Sequence, residues 1–487
     1  VSAWVSSGDS AWAAGDNARA RAAYHAAVQR DPDASSRAVY RLATLLLYDN
    51  QLDSAITLFR HYVQLEPRDD AGRIAVGRAL AWAGRYDDAI AVYDTVLSHT
   101  PGDPDAQKGI ARVWAWRGDL AQSEAHWTAL TQSHPRDAEA WVGLAQVLRW
   151  NGEPVAARDA VDHALAVDPA NADAHIQQRW LDAELLPTAR VDIDPSNDSD
   201  HNRATWYAAT FGVRPPWNGR LALVAGARTT SFHALDAQSI GLRLRGRWSL
   251  DHGVWTLNGE VGGTHLSGEV GGASQSIETP FRWIASGGLH LAPVSWFNGG
   301  ASVTRAPFDE TAALILAGIS TTGVNADGSF TLPARFTLDL GGGFTRLTGG
   351  TPNDRHNAMA SLRYTLSRAL SVATTVRGFG YDTAATDGYF SPEFYRLIEG
   401  SLRGRVGGDL GWRASGDVGL GTQRVRLRGN TTSRAASRAA FDIGYHFAPG
   451  YAVNVTGSIA NLPSTSTVSP DGYRWYSVGV GAEILLR

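Results

Sequence analysis

The sequence predicts a two-part chain: an all-α repeat solenoid over residues 1–186, followed by a 16-stranded antiparallel transmembrane β-barrel over residues 187–487. Three observations carry this expectation. A 34-residue recurrence is confined to the first part, the hydrophobic period changes from helical to two near Pro187, and short and long connections alternate through the second part.

In the first part, prolines recur at Pro32, Pro67, Pro101, Pro135 and Pro169, spaced by 35, 34, 34 and 34. Gly84, Gly118 and Gly152 keep the same step, as do Trp82, Trp116 and Trp150, and Ala55, Ala89, Ser123 and Ala157. Small residues where two helices touch, with a proline closing each unit, are the signature of the tetratricopeptide repeat (TPR). The segment GRALAWAGRYDDAIAVYDTVLSHTP (77–101) shows one unit: a helix, a glycine turn, an amphipathic helix and the closing proline. About five units are expected to stack, each burying its neighbour's face. The repeated tryptophans are assigned to packing between helices.

After Pro187 the period is two. Val191 and Ile193 of TARVDID (188–194) fall on one face and open the strand series, which ends at YRWYSVGVGAEILLR (473–487) and counts sixteen. Short connections are expected at 215–219, 251–252, 293–295, 325–329, 367–368, 407–409 and 448–450. Mostly longer ones alternate with them at 195–202, 267–279, 348–356, 382–393, 429–433 and 463–472. Short periplasmic turns and long outer loops are the habit of outer-membrane barrels. The alternation therefore expects the repeats and both termini in the periplasm.

In such a barrel one face of each strand meets lipid and the other a polar lumen. The segment SIGLRLRGRW (239–248) turns Arg243, Arg245 and Arg247 inward between Ile240, Leu242, Leu244 and Trp248. A two-residue turn at Asp251-His252 would set Arg243 opposite Glu260, Arg245 opposite Asn258 and Arg247 opposite Thr256. The same phase turns Asp339, Tyr395, Glu399, Arg403, Arg405, Asp442 and His446 inward. Arg424, Arg426 and Arg428 instead carry the outward phase, which requires a bulge near Gly421 or a strand extended beyond the lipid. Sixteen strands leave an aqueous channel.

Composition removes other classes. Lys and Arg number 44 against 48 Asp and Glu, giving no electrostatic footprint for nucleic acid. There is no cysteine, no run of about 18 apolar residues for a membrane helix, no metal-ligand spacing and no Gly-x-Ser-x-Gly. Neither an enzyme nor a cofactor is expected. The opening VSAWVSSGDS lacks the basic and apolar regions of a signal peptide, as a processed or a truncated chain would.

The stretch DGYFSPEFYRL (387–397), with Gly388, Tyr389, Phe390, Ser391 and Pro392, resembles a motif of the cellulose synthase operon protein C family. TRAPFDETAALILAG (304–318), with Arg305, Pro307, Glu310 and Thr311, and GGGFTRLTG (341–349) are similar to neighbouring family segments. The resemblance implies export of a polysaccharide, most simply cellulose or a related β-glucan, through an outer-membrane barrel. It also implies TPR contacts with periplasmic or inner-membrane synthase components. The sequence departs from the family in having fewer repeats and in ending on EILLR, without a terminal aromatic. Residues 388–392 would form a gating loop whose two rings stack on emerging sugars, or else a loop-stabilising brace. The competing function is a surface receptor or scaffold, of the phage-receptor kind, that binds rather than conducts.

Overall fold

The structure, a computed structural model, describes residues 1–33, 35–215, 219–250, 254–277, 280–385, 387–462 and 473–486. The chain forms two compact units, Val1–Gln178 and Arg179–Arg487.

The first unit holds α1 (Ser2–Ala13), α2 (Asn17–Arg30), α3 (Ser36–Tyr48), α4 (Leu52–Leu65), α5 (Asp70–Trp82), α6 (Tyr86–His99), α7 (Pro104–Arg117), α8 (Leu120–Ser133), α9 (Ala138–Trp150) and α10 (Pro154–Val167). α11 (Ala172–Leu185) follows and crosses the boundary between the units. Asp16, Asp69, Asp103, Asp119 and Asp137 each accept a backbone N–H in the first turn of the following helix. Each such cap is worth about 1 kcal/mol. Between the two helices of every pair one residue takes a left-handed conformation: Gly15, Asn50, Gly84, Gly118 and Gly152. Glycine adopts it without strain and asparagine tolerates it, so this position reverses the chain five times.

The repeated tryptophans do not fill the space between helices. Trp82, Trp116 and Trp150 are 42%, 41% and 42% exposed, and Tyr48, at the equivalent place, is more so. They sit at the last turn of the first helix of each pair, with one face open to solvent. The packing role belongs to a different recurrence, Tyr24, Phe59, Tyr93, Trp127 and Val161, all buried on the second helices. Glycines admit the larger rings: a Cβ on Gly77 would stand 2.7 Å from the Tyr93 ring, and one on Gly143 2.6 Å from Trp127. Ala55, Ala89, Ser123 and Ala157 are buried as expected.

The second unit is a closed antiparallel barrel. Its strands are β1 (Thr188–Asp198), β2 (Arg203–Val213), β3 (Gly219–Phe232), β4 (Leu235–Leu250), β5 (Trp255–Val270), β6 (Ala273–Gln275), β7 (Phe281–Val294), β8 (Phe297–Pro307) and β9 (Ser320–Leu332). They continue with β10 (Phe336–Thr348), β11 (Asn353–Thr365), β12 (Leu370–Tyr381), β13 (Phe394–Gly407), β14 (Gly411–Leu427), β15 (Asn430–Ala448), β16 (Tyr451–Ala460) and β17 (Trp475–Leu485). β6 only folds back on β5; the other sixteen form the wall. β1 pairs with both β2 and β17, which closes it and leaves no edge.

Along β13 burial alternates from Phe394 to Glu399, with Phe394 and Ile398 exposed and Tyr395 and Glu399 buried. Exposed Leu242, Leu244, Val418, Leu420, Phe441 and Ile443 share the outward face. Trp412, Tyr445 and Phe447 meet edge-on where β14 begins and β15 ends.

Several expectations need correction. Residues 325–329 are not a turn: β9 runs through them, and the chain reverses at 333–335, where Ala334 and Arg335 take positive φ. The polarity of Asn325, Asp327 and Ser329, which reads as a turn, is that of an inward face alternating with Ala326 and Gly328. The outer connection expected at 429–433 is a tight reversal at Arg428-Gly429, with Leu427 paired to Asn430. β14 keeps unbroken register with β13 and β15, so Arg424 and Arg426 face outward on an extended strand and no bulge intervenes. The expected turn at Asp251-His252 lies outside the described residues.

Candidate functional site: the barrel lumen

The register of β4 with β5 differs by two residues from the expected one. Leu250 pairs with Trp255, so Arg245 faces Glu260, Arg247 faces Asn258, and Arg243 faces Gly262. An even slip preserves the inward phase. Arg243 still reaches Glu260 diagonally at 3.5 Å, while Arg245 contacts it at 2.8 Å. One carboxylate thus serves two guanidinium groups. Arg243 and Arg228 also lie over the Trp206 ring, at 5.1 and 5.4 Å from its centroid.

Elsewhere the inward charges are joined in the same way. Asp339 accepts from Arg363 at 2.7 Å and from the Ser329 hydroxyl at 2.7 Å. Glu399, almost fully buried, accepts Nε and Nη2 of Arg438 at 2.8–3.0 Å. Arg438 also pairs with Asp417, and Arg403 approaches Asp417 at 3.5 Å. Asp442 sits across from Ser415 and Thr456, and Arg405 across from Ser415. Tyr395 is buried and stacks on Phe379. The lumen residues singled out in the sequence therefore fall into separate clusters around the wall. Arg363, Asp417 and Arg438, which complete those clusters, were not among them. Their inward phase was readable in the strand pattern, but their ion pairs depend on the register of three strands.

The connection from β8 to β9 folds inward around a short helix, α12 (Ala312–Leu316), capped by the Thr311 hydroxyl accepting Leu314 N–H. The helix packs Ala312 and Ile315 with Ala237 of β4 and Leu266 of β5. Asp309, just before it, accepts from Ser239 at 2.6 Å and pairs with Arg228 at 3.3 Å. Of the residues carrying the family resemblance, Thr311 is thus a cap and Pro307 ends β8. Glu310 lines a cavity of about 530 Å³ with Arg228, Trp206, Asp194 and Trp475. Arg305 faces outward, its guanidinium 4.9 Å from the Trp283 ring centroid.

The loop holding Gly388, Tyr389, Phe390, Ser391 and Pro392 does not present its rings. Tyr389 is 5% exposed and Phe390 2%. Tyr389 packs with Phe308, Leu314, Ile319, Leu347 and Tyr381, and its hydroxyl accepts from Asn353 at 3.1 Å. Burial pushes its phenol pKa up, the Asn353 contact opposing this only in part. Phe390 enters a separate cluster with Tyr395, Leu397, Val425, Ala436 and Leu462. Ser391 Oγ accepts Ala385 N–H at 2.8 Å. Gly388 is left-handed, and a Cβ there would come within 2.9 Å of Ala313. Both ring faces are covered by protein, so the expected stacking on sugar is not available in this arrangement.

Among the described residues no group of three or more His, Asp or Glu side chains could hold a metal ion, and no helix is long and apolar enough to cross a membrane.

Tetratricopeptide repeat models match residues 11–79, 46–113, 80–132 and 116–174. Comparison with curated proteins yields no match. Among solved structures, the chain is similar to a bacterial polysaccharide outer membrane secretin, at 10% identity and a TM-score of 0.47, covering 62% of this chain and 99% of that one. It is also similar to a tetratricopeptide repeat protein from Parabacteroides merdae, at 16% identity and a TM-score of 0.35, covering 37% and 70%. A third likeness is to a TPR protein of Thermus thermophilus, at 19% identity and a TM-score of 0.31, covering 36% and 95%. The chain thus joins a TPR solenoid to a closed 16-stranded antiparallel barrel.

Proposed function

We propose that this protein is an outer-membrane channel exporting an uncharged polysaccharide, cellulose or a similar β-glucan, with its repeats in the periplasm docking components of the synthesis machinery. The observation that carries this reading is the closed sixteen-strand wall, apolar outside, in which inward arginines such as Arg245, Arg363 and Arg438 are matched by carboxylates. A lumen lined by free guanidinium groups would hold an acidic polymer. Paired charges leave donors and acceptors for hydroxyl groups without a strong field. The two loops folded inward, 308–319 and 382–393, narrow the passage and supply the cover that a wide pore needs. TPR arrays offer extended surfaces suited to protein partners, which supports the docking role.

A receptor or scaffold that binds without conducting is favoured by one observation, the thorough burial of Tyr389 and Phe390. Conductance in planar bilayers separates the two. A channel opens when residues 308–319 are replaced by a short linker, and neutral cello-oligosaccharides then block it more strongly than anionic oligogalacturonates. A barrel that stays silent without that loop sinks the channel reading. Stronger block by the anionic oligomers sinks the choice of substrate.

A further inference from the structure

We propose that Arg396 and Arg424 form a binding site for the phosphate group of an outer-leaflet glycolipid on the outside of the barrel. The two residues are direct cross-strand partners of β13 and β14 and share the outward face with Ile398, Leu402, Val418 and Leu420. Reading along that face toward the long loops, the pairs are Leu402 with Val418, Gly400 with Leu420, Ile398 with Thr422, and then Arg396 with Arg424. The guanidinium pair stands two residues, about 7 Å, beyond Ile398, and the exposed Phe394, opposite Arg426, is the next outward side chain of β13. The face thus turns from aliphatic to mainly cationic there, which suits the headgroup region.

Like charges directly opposite each other destabilise a sheet. Among the described residues neither arginine has an ion-pair or hydrogen-bond partner, whereas Arg426, opposite Phe394 on the next outward rung, meets Glu393 at 2.9 Å. A contrasting rung lies on β10 and β11. There the outward Arg346 is directly opposite Asp354 and held by it at 2.8–2.9 Å through two bonds. The barrel therefore places a carboxylate against one outward arginine and a second arginine against another.

The surroundings suit an anion. Gly378 of β12 flanks Arg396 on the same rung and Ser433 of β15 flanks Arg424, so no bulky side chain closes either side. Two planar guanidinium forks on adjacent strands, with side chains about 5 Å apart at their base, can grip one phosphate from both sides. At a membrane surface such contacts are strengthened by the low dielectric beneath them. The acyl chains of the same lipid would lie along Ile398, Leu402, Val418 and Leu420. The proposal rests on the orientation that puts the long loops outside the cell, not on the identity of the exported polymer.

The test is native mass spectrometry of the full chain in detergent with diphosphorylated lipid A, the same lipid A after dephosphorylation, and inorganic phosphate. Wild type should retain the phosphorylated lipid roughly tenfold better than the dephosphorylated one, as the loss of charge-assisted contacts to phosphate implies. The variant R396Q/R424Q should lose that preference, while R346Q should keep it. A single reversal, R396E, guards against misfolding: it creates an opposite-charge pair, so it should resist thermal unfolding at least as well as wild type and still lose the preference. Equal retention by wild type and R396Q/R424Q, or loss in R346Q to the same extent, overturns the site. Displacement of the lipid by inorganic phosphate at equal concentration shows a free-anion site and overturns the lipid assignment.

Discussion

The repeats and the barrel put the same residue classes at opposite addresses. In α5–α8 the rings of Tyr93 and Trp127 face inward over glycine, and Arg117 reaches across the surface to Asp87 at 2.7 Å. In β4 and β5 the arginines face inward around Glu260, while Leu242, Leu244 and Leu257 face out. The difference teaches that inside and outside are defined by the solvent on each side, not by the fold. An apolar outward face and a charged inward one invert the rule that water outside imposes on the helices, as a lipid exterior and a watery lumen would.

The sharpest way to break the comparison is to empty the repeat core. Tyr93→Ala should cost about 3–5 kcal/mol of stability in the repeats, read from denaturant unfolding followed by helical circular dichroism. Burial raises the Tyr93 phenol to a pKa of about 12, so its packing should not change with pH across the neutral range. A cost near that of a surface substitution would show that the repeats do not depend on these rings.

A smaller effect is expected on the barrel. Leu402→Arg puts a charge on the apolar outward face, which should cost roughly 2–4 kcal/mol if that face meets lipid at mid-depth. Leu397→Arg, one phase inward, tests instead a buried cluster and should fail for a different reason, by blocking loop packing rather than insertion. If Leu402→Arg assembles into bilayers as stably as wild type, the outward assignment of that face is wrong.

Smaller still is the contribution of the charge cluster around the buried Lys108 at α7 and α9. Lys108 meets Glu139 at 2.7 Å and Asp105 at 3.1 Å, and Arg112 pairs with Glu139 as well. Burial alone would raise the pKa of Glu139, but the two cations outweigh it and hold the carboxyl below its usual value. Its contribution is therefore complete above the ordinary glutamate range and fades as pH falls through the lower, folded-state value. A fragment of residues 1–186, expected to fold alone as a helical solenoid, should lose stability on acidification, and E139Q should lose less. An acid profile identical in both would remove this cluster as a cause.

The smallest effect should come from the repeated tryptophans. Trp116→Ala should change repeat stability by no more than about 0.5 kcal/mol, because the ring is already half in water. A loss comparable to that from Tyr93→Ala would reverse the assignment of packing to the second helices.

These contrasts also show what was legible in the sequence. Phase was legible because it needs only alternation: Arg243, Glu260, Asp339 and Glu399 could be turned inward from their own strands. Register was not, because it depends on the length of each reversal, and a two-residue error there moved the partner of Arg243. The helix α12 was missed because five residues are too few to establish a period. The motif at 388–392 was visible, but its burial was not, since much of the cover on Tyr389, Phe308, Leu314 and Ile319, comes from a loop about 70–80 positions earlier in the chain. In the repeats, the recurrence of Tyr24, Phe59, Tyr93 and Trp127 was as regular as that of the tryptophans. Choosing between two equally periodic aromatic positions required knowing which side of the helix faced its partner.

The apolar contact between the loops 308–319 and 382–393 has a consequence for how the passage would respond to force. Phe308, Leu314 and Ile319 from one loop and Tyr389 from the other share a single cluster. Displacing either loop strips the covering from its companion, so a partial opening carries the full penalty of wetting both while gaining only part of the aperture. Such a lock resists small thermal excursions and yields as a unit. In the proposed channel, a polymer pushed from below by its own synthesis would supply sustained work of a kind that diffusing solutes do not, so the same seam could stay shut to molecules arriving by chance and give way to a chain under thrust.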